Sequence, residues 1–137
     1  MRVEMGIVDL QIYTKIVEYV VENLPQLNLD AKVNFSRTKQ NPSTESQFPY
    51  IYFQRVTGIE KGMNLECDRI EGGLFTYQIT VTSNVSKSEA DMISNALSMA
   101  FKSIGFHATS LPLDNEVDNL HIHLARWQRT LCEGEYI

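Results

Sequence analysis

The chain has 137 residues, of which 43% are hydrophobic, so it is long enough to bury one compact core. Its formal net charge of −5 and its pI near 5.1 argue against a protein that binds nucleic acid by neutralising phosphates. The N-terminus lacks the pattern of a signal peptide, and no apolar run approaches the length of a membrane span, so we expect a soluble protein.

The first predicted element is an amphipathic helix over Ile7–Leu24. Its apolar residues recur at spacings of three and four, Asp9 lies near its start, and Pro25 follows its last residue. Because many of its residues are β-branched and have modest helix propensity, we expect tertiary packing to stabilise it. The pattern then allows a short strand over Ala31–Phe35.

A polar segment separates this helix from the first clear strand. Ser36–Gln47 is polar apart from one proline and cannot bury enough surface to offset its ordering entropy. We therefore expect a mobile loop, either a solvated connector or a loop that orders on meeting a partner. Phe48–Val56 has the pattern of a strand, since Pro49 is tolerated at a strand start. Tyr50 and Tyr52 share one of its faces.

Gly73–Ser83 shows the cleanest alternation of apolar and polar residues in the chain. Its apolar face carries Phe75, Tyr77, Ile79 and Val81. This pattern is typical of a half-buried antiparallel strand. The connection Thr57–Gly72 is too long for a tight turn and contains several glycines, so we expect a second mobile loop there.

The best-specified helix covers Ser88–Ile104. Ser86 and Glu89 match a capping box, in which each side chain satisfies a backbone donor of the first turn. Gly105 supplies a left-handed stop, and Phe106 can pack back onto the last turn. Two shorter elements follow: a strand allowed over Phe106–Leu113 and an acidic turn predicted over Asp114–Asn119.

The final strand, Leu120–Leu131, has an irregular apolar pattern. The apolar residues before Ala125 share one face, whereas Trp127 and Leu131 have the opposite parity. Either a bulge near Ala125 shifts the register, or both faces of the strand are covered. A neighbouring subunit is one candidate for covering a second face.

Histidines and cysteines are present, but their spacing indicates neither a catalytic nor a metal site. His121 and His123 project from the same face of the last strand, yet a metal site needs a third ligand, which the neighbouring sequence does not offer. Cys67 and Cys132 each lie beside carboxylates, which disfavour the reactive thiolate. Without an export signal we expect both to be reduced thiols. The sequence therefore predicts no catalytic residue, no cofactor and no metal ion.

Residues suited to protein contacts are more numerous. Arg126 and Arg129 flank Trp127, and these residue types dominate buried interfaces, which we favour over a nucleic-acid stacking site. The outer face of the sheet, with Tyr50, Tyr52 and Trp127 on it, is either an ordinary exposed face or a subunit contact. The predicted interface residues are Arg37, Lys39, Tyr50, Tyr52, Glu60, Lys61, Glu66, Asp68, Arg69, Arg126, Trp127 and Arg129.

Four segments together give the chain a family resemblance. They are the opening helix that ends at LPQL, the strand FPYIYFQRV, the strand GGLFTYQITVTSN leading into the helix SKSEADMISNALSMAFKSIGF, and the closing strand NLHIHLARWQRTL. In this order, over roughly Ile7–Leu131, the chain resembles the tail-terminator, or tail-completion, proteins of long-tailed bacteriophages and prophages.

The resemblance implies a structural function without catalytic residues. Members of that family form hexameric rings at the head–tail junction of the virion, after assembly in the host cytoplasm. The ring caps the tail tube, ends its polymerisation and provides the head-joining surface. The implied partners are further copies of the chain, the tail-tube protein and a head–tail connector protein, with no membrane. DNA passes through without specific binding, which agrees with the net acidity.

We therefore predict a single α+β domain over residues 1–137. It should have a mainly antiparallel sheet of four to five strands with two helices packed on one face, in the order α-β-β-β-α-β. One alternative function is a head-closure or minor capsid protein of the head–tail connector. A different class is a small-molecule-binding or hydrolytic domain, in which His121, His123 and Cys132 would converge in a pocket.

Overall fold

The computed structural model describes residues 1–37, 48–60, 72–109 and 112–137, with the backbone alone at 57–60. Within these ranges, two α-helices accompany a mixed six-stranded sheet, which confirms the α+β class. The helices are α1 (Val8–Asn23) and α2 (Lys87–Ser103), and the strands are β1 (Phe35–Ser36), β2 (Tyr50–Glu60), β3 (Gly72–Ser83), β4 (His107–Ala108), β5 (Leu113–Val117) and β6 (Leu120–Cys132). Both predicted helices are confirmed to within a residue at each end.

The sheet differs from the prediction in size and in strand direction. Its order is β1-β2-β3-β6-β4, and β5 also pairs with β6. All pairs are antiparallel except β1 with β2, which run parallel through Phe35 opposite Ile51 and Ser36 opposite Tyr52. A strand of two residues shows no alternation that could reveal its direction. The added strands β4 and β5 follow α2, where the prediction had one strand at most before the final one.

Several residues predicted to lie in loops or turns belong to strands. Ser36, from the first predicted loop, ends β1. Residues 57–60 and Gly72, from the second predicted loop, continue β2 and begin β3. Residues 38–47 and 61–71 of the two predicted loops lie outside the described residues. The predicted acidic turn is mostly strand β5, and its turn is reduced to Asp118 and Asn119, both with positive φ. Pairing with β6 overrides the low strand propensity of these acidic residues.

The register defines two faces of the sheet, of which both helices contact the same one, here called the inner face. Tyr77 on this face donates a hydrogen bond of 2.7 Å to Asp9 of α1, and Phe53 packs against Tyr13 of α1 with ring centroids 5.5 Å apart. The buried inner-face residues are Ile51, Phe53, Phe75, Tyr77, Ile79, Val81, Trp127 and Leu131. The predicted apolar face of β3 is thereby confirmed, whereas Thr76 and Thr82 on its opposite face are buried as well, so the strand is more than half-buried.

The final strand has no bulge. β3 and β6 pair without a register shift from Gly72 opposite Cys132 to Ser83 opposite His121. Ile122 and Leu124 therefore lie on the outer face, while Trp127 and Leu131 lie on the inner face in the core. Of the two explanations that the sequence left open, the bulge near Ala125 is therefore wrong. Trp127 also does not share a face with Tyr50 and Tyr52.

The start of α2 is fixed by serine and glutamate side chains. Ser86 Oγ accepts a hydrogen bond of 3.1 Å from the backbone N–H of Glu89, as the capping box predicts. The second hydrogen bond of a capping box, from the N-cap backbone N–H to the glutamate side chain, is replaced. Glu89 Oε1 instead accepts from the hydroxyl of the fully buried Ser83 at 3.0 Å. Ser83 Oγ in turn accepts from the backbone N–H groups of Val85 and Ser86.

Candidate functional site

The outer face of the sheet carries an apolar band at the end formed by β5 and β6. The register places Leu113 opposite Leu124 and Val117 opposite Leu120 on this face. Leu113 is 67% exposed and Val117 is 45% exposed. The outer apolar band consists of Leu113, Val117, Leu120, Ile122 and Leu124.

The outer face is nearly free of charge outside this band. Tyr52 lies in register with Thr80 and Leu124, so it extends the band across β3. Arg126 is the single aspartate, glutamate, lysine or arginine on the outer face among the described strand side chains. Its Nε donates to Gln78 Oε1 at 2.9 Å, which ties the guanidinium to the neighbouring strand β3. A face of this composition suits contact with another protein surface more than contact with phosphates.

Trp127 and Arg129 act within the protomer. Trp127 is 5% exposed and stacks on Phe101 of α2. Arg129, also on the inner face, donates to the backbone carbonyl of Ile104 and forms an ion pair with Glu135. Gly105 allows this approach, because a Cβ built there would lie 3.1 Å from the Arg129 guanidinium. The described contacts of both side chains therefore lie within the protomer.

The other predicted interface residues are divided between the faces. Arg37 lies over the ring of Tyr13 of α1 at 5.7 Å, Tyr50 is buried and Tyr52 is half-buried on the outer face. Glu60 ends β2. Lys39, Lys61, Glu66, Asp68 and Arg69 lie outside the described residues. Of the predicted set, the structure thus leaves Tyr52 and Arg126 as described outer-face residues with exposed surface.

Sequence reasoning missed a polar network on the inner face. The Tyr77 hydroxyl donates to Asp9 Oδ1, while Asp9 Oδ2 lies 3.4 Å from Arg55 Nη1. Burial, followed by the hydrogen bond to Asp9, raises the pKa of Tyr77 above its ordinary value. Tyr77 on the predicted apolar face of β3 was the sequence signal for this network, because the hydroxyl of a buried tyrosine needs a hydrogen-bond partner.

The residues that a hydrolytic site would need do not converge. His121 and His123 share the inner face near the β5–β6 turn, as the sequence predicted, but Cys132 ends the same strand at the opposite end of the sheet. Cys132 is also disulfide-bonded, so the expectation of a reduced thiol there is wrong. The other cysteine of the chain, Cys67, lies outside the described residues. The disulfide also removes the free thiol that Cys132 would have contributed to such a pocket.

Comparison with protein-family models and with curated proteins found no match to this chain. The resemblance to tail-terminator proteins therefore stays a prediction. Among the described residues, no helix combines the length and the apolar character needed to cross a bilayer.

Proposed function

We propose that the protein is a non-enzymatic ring subunit of the tail-terminator class. In this function, copies of the chain associate side by side at the head–tail junction of a phage or prophage. The closed ring binds the end of the tail tube, blocks further addition of tube protein and presents a surface to the head–tail connector. The observation that carries the proposal is the outer apolar band, which neither helix covers.

The exposure of the band supports a contact between proteins. Leu113 at 67% and Val117 at 45% are both exposed large apolar residues, and the register brings them to one face beside Leu124 and Leu120. Contiguous apolar surface of this kind on a soluble protein marks interaction sites. The near absence of charge on the surrounding face lowers the desolvation cost of covering it.

The edge of the sheet favours a ring over a simple dimer. Among the described residues β5 pairs on one side only, with β6, so its other edge can accept a strand from another copy. A twofold antiparallel pairing of β5 with itself around Asn115 would place Asp114 opposite Glu116 of the other copy. Because like charges directly opposite one another are destabilising, a different strand of the neighbour fits better. Such a heterologous contact forms a ring when the rotation between successive copies closes, as the proposed function requires.

Light scattering of the native protein tests the proposal, with and without the tail-tube protein of the same phage or prophage. We expect a closed oligomer, either alone or on the tube as template. A protein that stays monomeric at high concentration in both conditions would overturn the proposal. Capture of the tube protein in a pull-down supports a terminator, whereas capture of a portal or adaptor instead supports a head-closure protein.

Two matched variants locate the contact. Leu113→Asp places a charge in the outer apolar band, and Met99→Asp places the same charge on α2, where Met99 is 51% exposed. We expect Leu113→Asp to abolish the oligomer without lowering thermal stability, since the side chain is mostly exposed. Met99→Asp should leave the oligomer intact. Equal loss with both variants would show that the contact does not lie on the outer face.

A further inference from the structure

A second cluster of side chains lies on the opposite face of the sheet from the outer apolar band. It combines Asp91 from the first half of α2, Asp114 from β5 and His123 from β6. Asp114 and His123 are directly opposite in the β5–β6 register, and both project from the inner face toward α2. The cluster therefore lies where the helix meets the hairpin.

The candidate ligand atoms converge on a small volume. His123 Nδ1 lies 2.7 Å from Asp114 Oδ1 and 3.7 Å from Asp91 Oδ1, and the ligand atoms of all three residues lie within 4.8 Å of one another. With metal–ligand distances of about 2.0–2.2 Å in a tetrahedron, ligand atoms are about 3.3–3.6 Å apart. Small rotations of the two half-exposed aspartates are enough to reach this spacing.

The imidazole cannot satisfy both carboxylates as a neutral ring. Nδ1 carries at most one proton, which can be donated to Asp114 or to Asp91 but not linearly to both. The His123 side chain is 14% exposed, so water compensates for it poorly. A divalent cation held between the imidazole nitrogen and both carboxylate oxygens would satisfy all three ligands at once.

An independent observation comes from Ser94, one helical turn after Asp91. Its Oγ is buried and has no hydrogen-bond partner among the described residues. Ser94, Asp91 and His123 line the same cavity of about 390 Å³ between α2 and the sheet. An unpaired buried hydroxyl is costly, and a water molecule bound to a metal in this cavity would supply its partner.

We propose that Asp91, Asp114 and His123 form a binding site for a divalent transition-metal ion of the zinc type. One imidazole and two carboxylates are ligands that Zn²⁺ accepts, and three protein ligands leave a fourth position for water. Lys87 Nζ lies 3.9 Å from Asp114 Oδ2, so it can orient that carboxylate while Oδ1 binds the ion. The bound ion would join α2 to the β5–β6 hairpin. This site does not depend on the ring proposed above.

The hairpin offers matched controls for this site. Glu116 and His121 form the next cross-strand pair on the same face, and they are not part of the cluster. His123→Ala and Asp114→Asn test the site, and His121→Ala and Glu116→Gln are the corresponding controls. All variants should be prepared as the full chain, stripped with chelator and kept free of reductant so that Cys132 remains in its disulfide.

Isothermal titration with Zn²⁺ alone, together with the visible absorption spectrum of Co²⁺, measures binding. We expect one Zn²⁺ per chain, a rise in melting temperature on binding, and a loss of affinity of at least about 10- to 100-fold in His123→Ala and Asp114→Asn. The two control variants should bind as the unmodified chain does.

Two results would overturn the proposal. One is the absence of saturable Zn²⁺ binding by the unmodified chain, which would leave the cluster as a set of ion pairs. The other is binding that His121→Ala weakens as much as His123→Ala does. If His123→Ala fails to fold, the pair Asp114→Asn and Glu116→Gln gives the same comparison.

Discussion

Trp127 of β6 lies parallel to Phe101 of α2, with the ring planes 4° apart and the centroids 5.5 Å apart. Phe101 also contacts Phe106 edge-on at 5.3 Å, and Phe106 donates its backbone N–H to the Phe101 carbonyl at 2.9 Å. These contacts fix the C-terminal end of α2 against the inner face of the sheet. Trp127 therefore stabilises the protomer and is not presented to a partner.

Trp127→Ala should lower the free energy of unfolding by about 3–5 kcal/mol, because it removes a large buried side chain and leaves a cavity. Arg126→Ala is the matched control, since Arg126 is adjacent in sequence but lies on the outer face, and we expect a change within about 0.5 kcal/mol. Urea unfolding of the two variants measures the difference. A stable Trp127→Ala variant that fails only to oligomerise would contradict this assignment.

The cap of α2 allows a comparison of two serines two residues apart. Ser86→Ala should lower the free energy of unfolding by about 1 kcal/mol, because the Glu89 backbone N–H loses its acceptor. Ser88 lies within the helix and is exposed, so Ser88→Ala should be neutral or slightly stabilising. Urea denaturation measures both. Equal effects of the two substitutions would show that the Ser86 hydroxyl does not act as a cap.

The sequence predicted those parts of the fold that depend on local pattern. The apolar stripes of α1 and α2, the Ser86 cap, the Gly105 stop and the alternation in β3 are each encoded within one element. The irregular parity of β6 left two explanations open, a bulge near Ala125 or an unbroken strand covered on both faces, and the bulge is wrong. Without the register against β3, it was not possible to say that Ile122 and Trp127 lie on opposite faces of an unbroken strand.

Contacts between distant elements could not be predicted in this way. The two carboxylates that lie beside His123 belong to Asp114 of β5 and Asp91 of α2, whereas His121 is not part of this cluster. Asp114 was assigned to a turn, and Asp91 is an ordinary polar residue of an amphipathic helix in the sequence. Only the pairing of β5 with β6 and the packing of α2 bring them to His123.

Tyr77→Phe should change the stability and its dependence on alkaline pH. Because the folded state raises the pKa of Tyr77 above its ordinary value of 10.0, the folded chain holds the phenol proton more tightly than the unfolded chain does. The resulting stabilisation is complete below about pH 10 and declines above it, by up to about 1.4 kcal/mol per pH unit. Near neutral pH, the variant should lose about 1–2 kcal/mol with the hydrogen bond to Asp9.

Urea unfolding between pH 8 and 11 measures this effect, and the curves for Tyr77→Phe and the unmodified chain should converge as pH rises. Tyr136→Phe is the control, since Tyr136 is 71% exposed, and its curve should run parallel to that of the unmodified chain. A constant difference between Tyr77→Phe and the unmodified chain across this range would mean that Tyr77 ionises equally in both states.

The β5–β6 hairpin depends on two residues with left-handed backbone conformation. Asp118 and Asn119, with φ of 51° and 64°, connect Val117 to Leu120 as a two-residue turn with the positive φ values of type I′. Asn119→Ala should lower the free energy of unfolding by about 1 kcal/mol, because alanine is strained in this conformation, whereas Asn119→Gly should be tolerated. Asn115→Ala, in the exposed strand of the same hairpin, should change stability by less than about 0.5 kcal/mol. Thermal and urea unfolding measure the stabilities of the three variants. An Asn119→Gly variant that is less stable than Asn119→Ala would contradict the assigned turn.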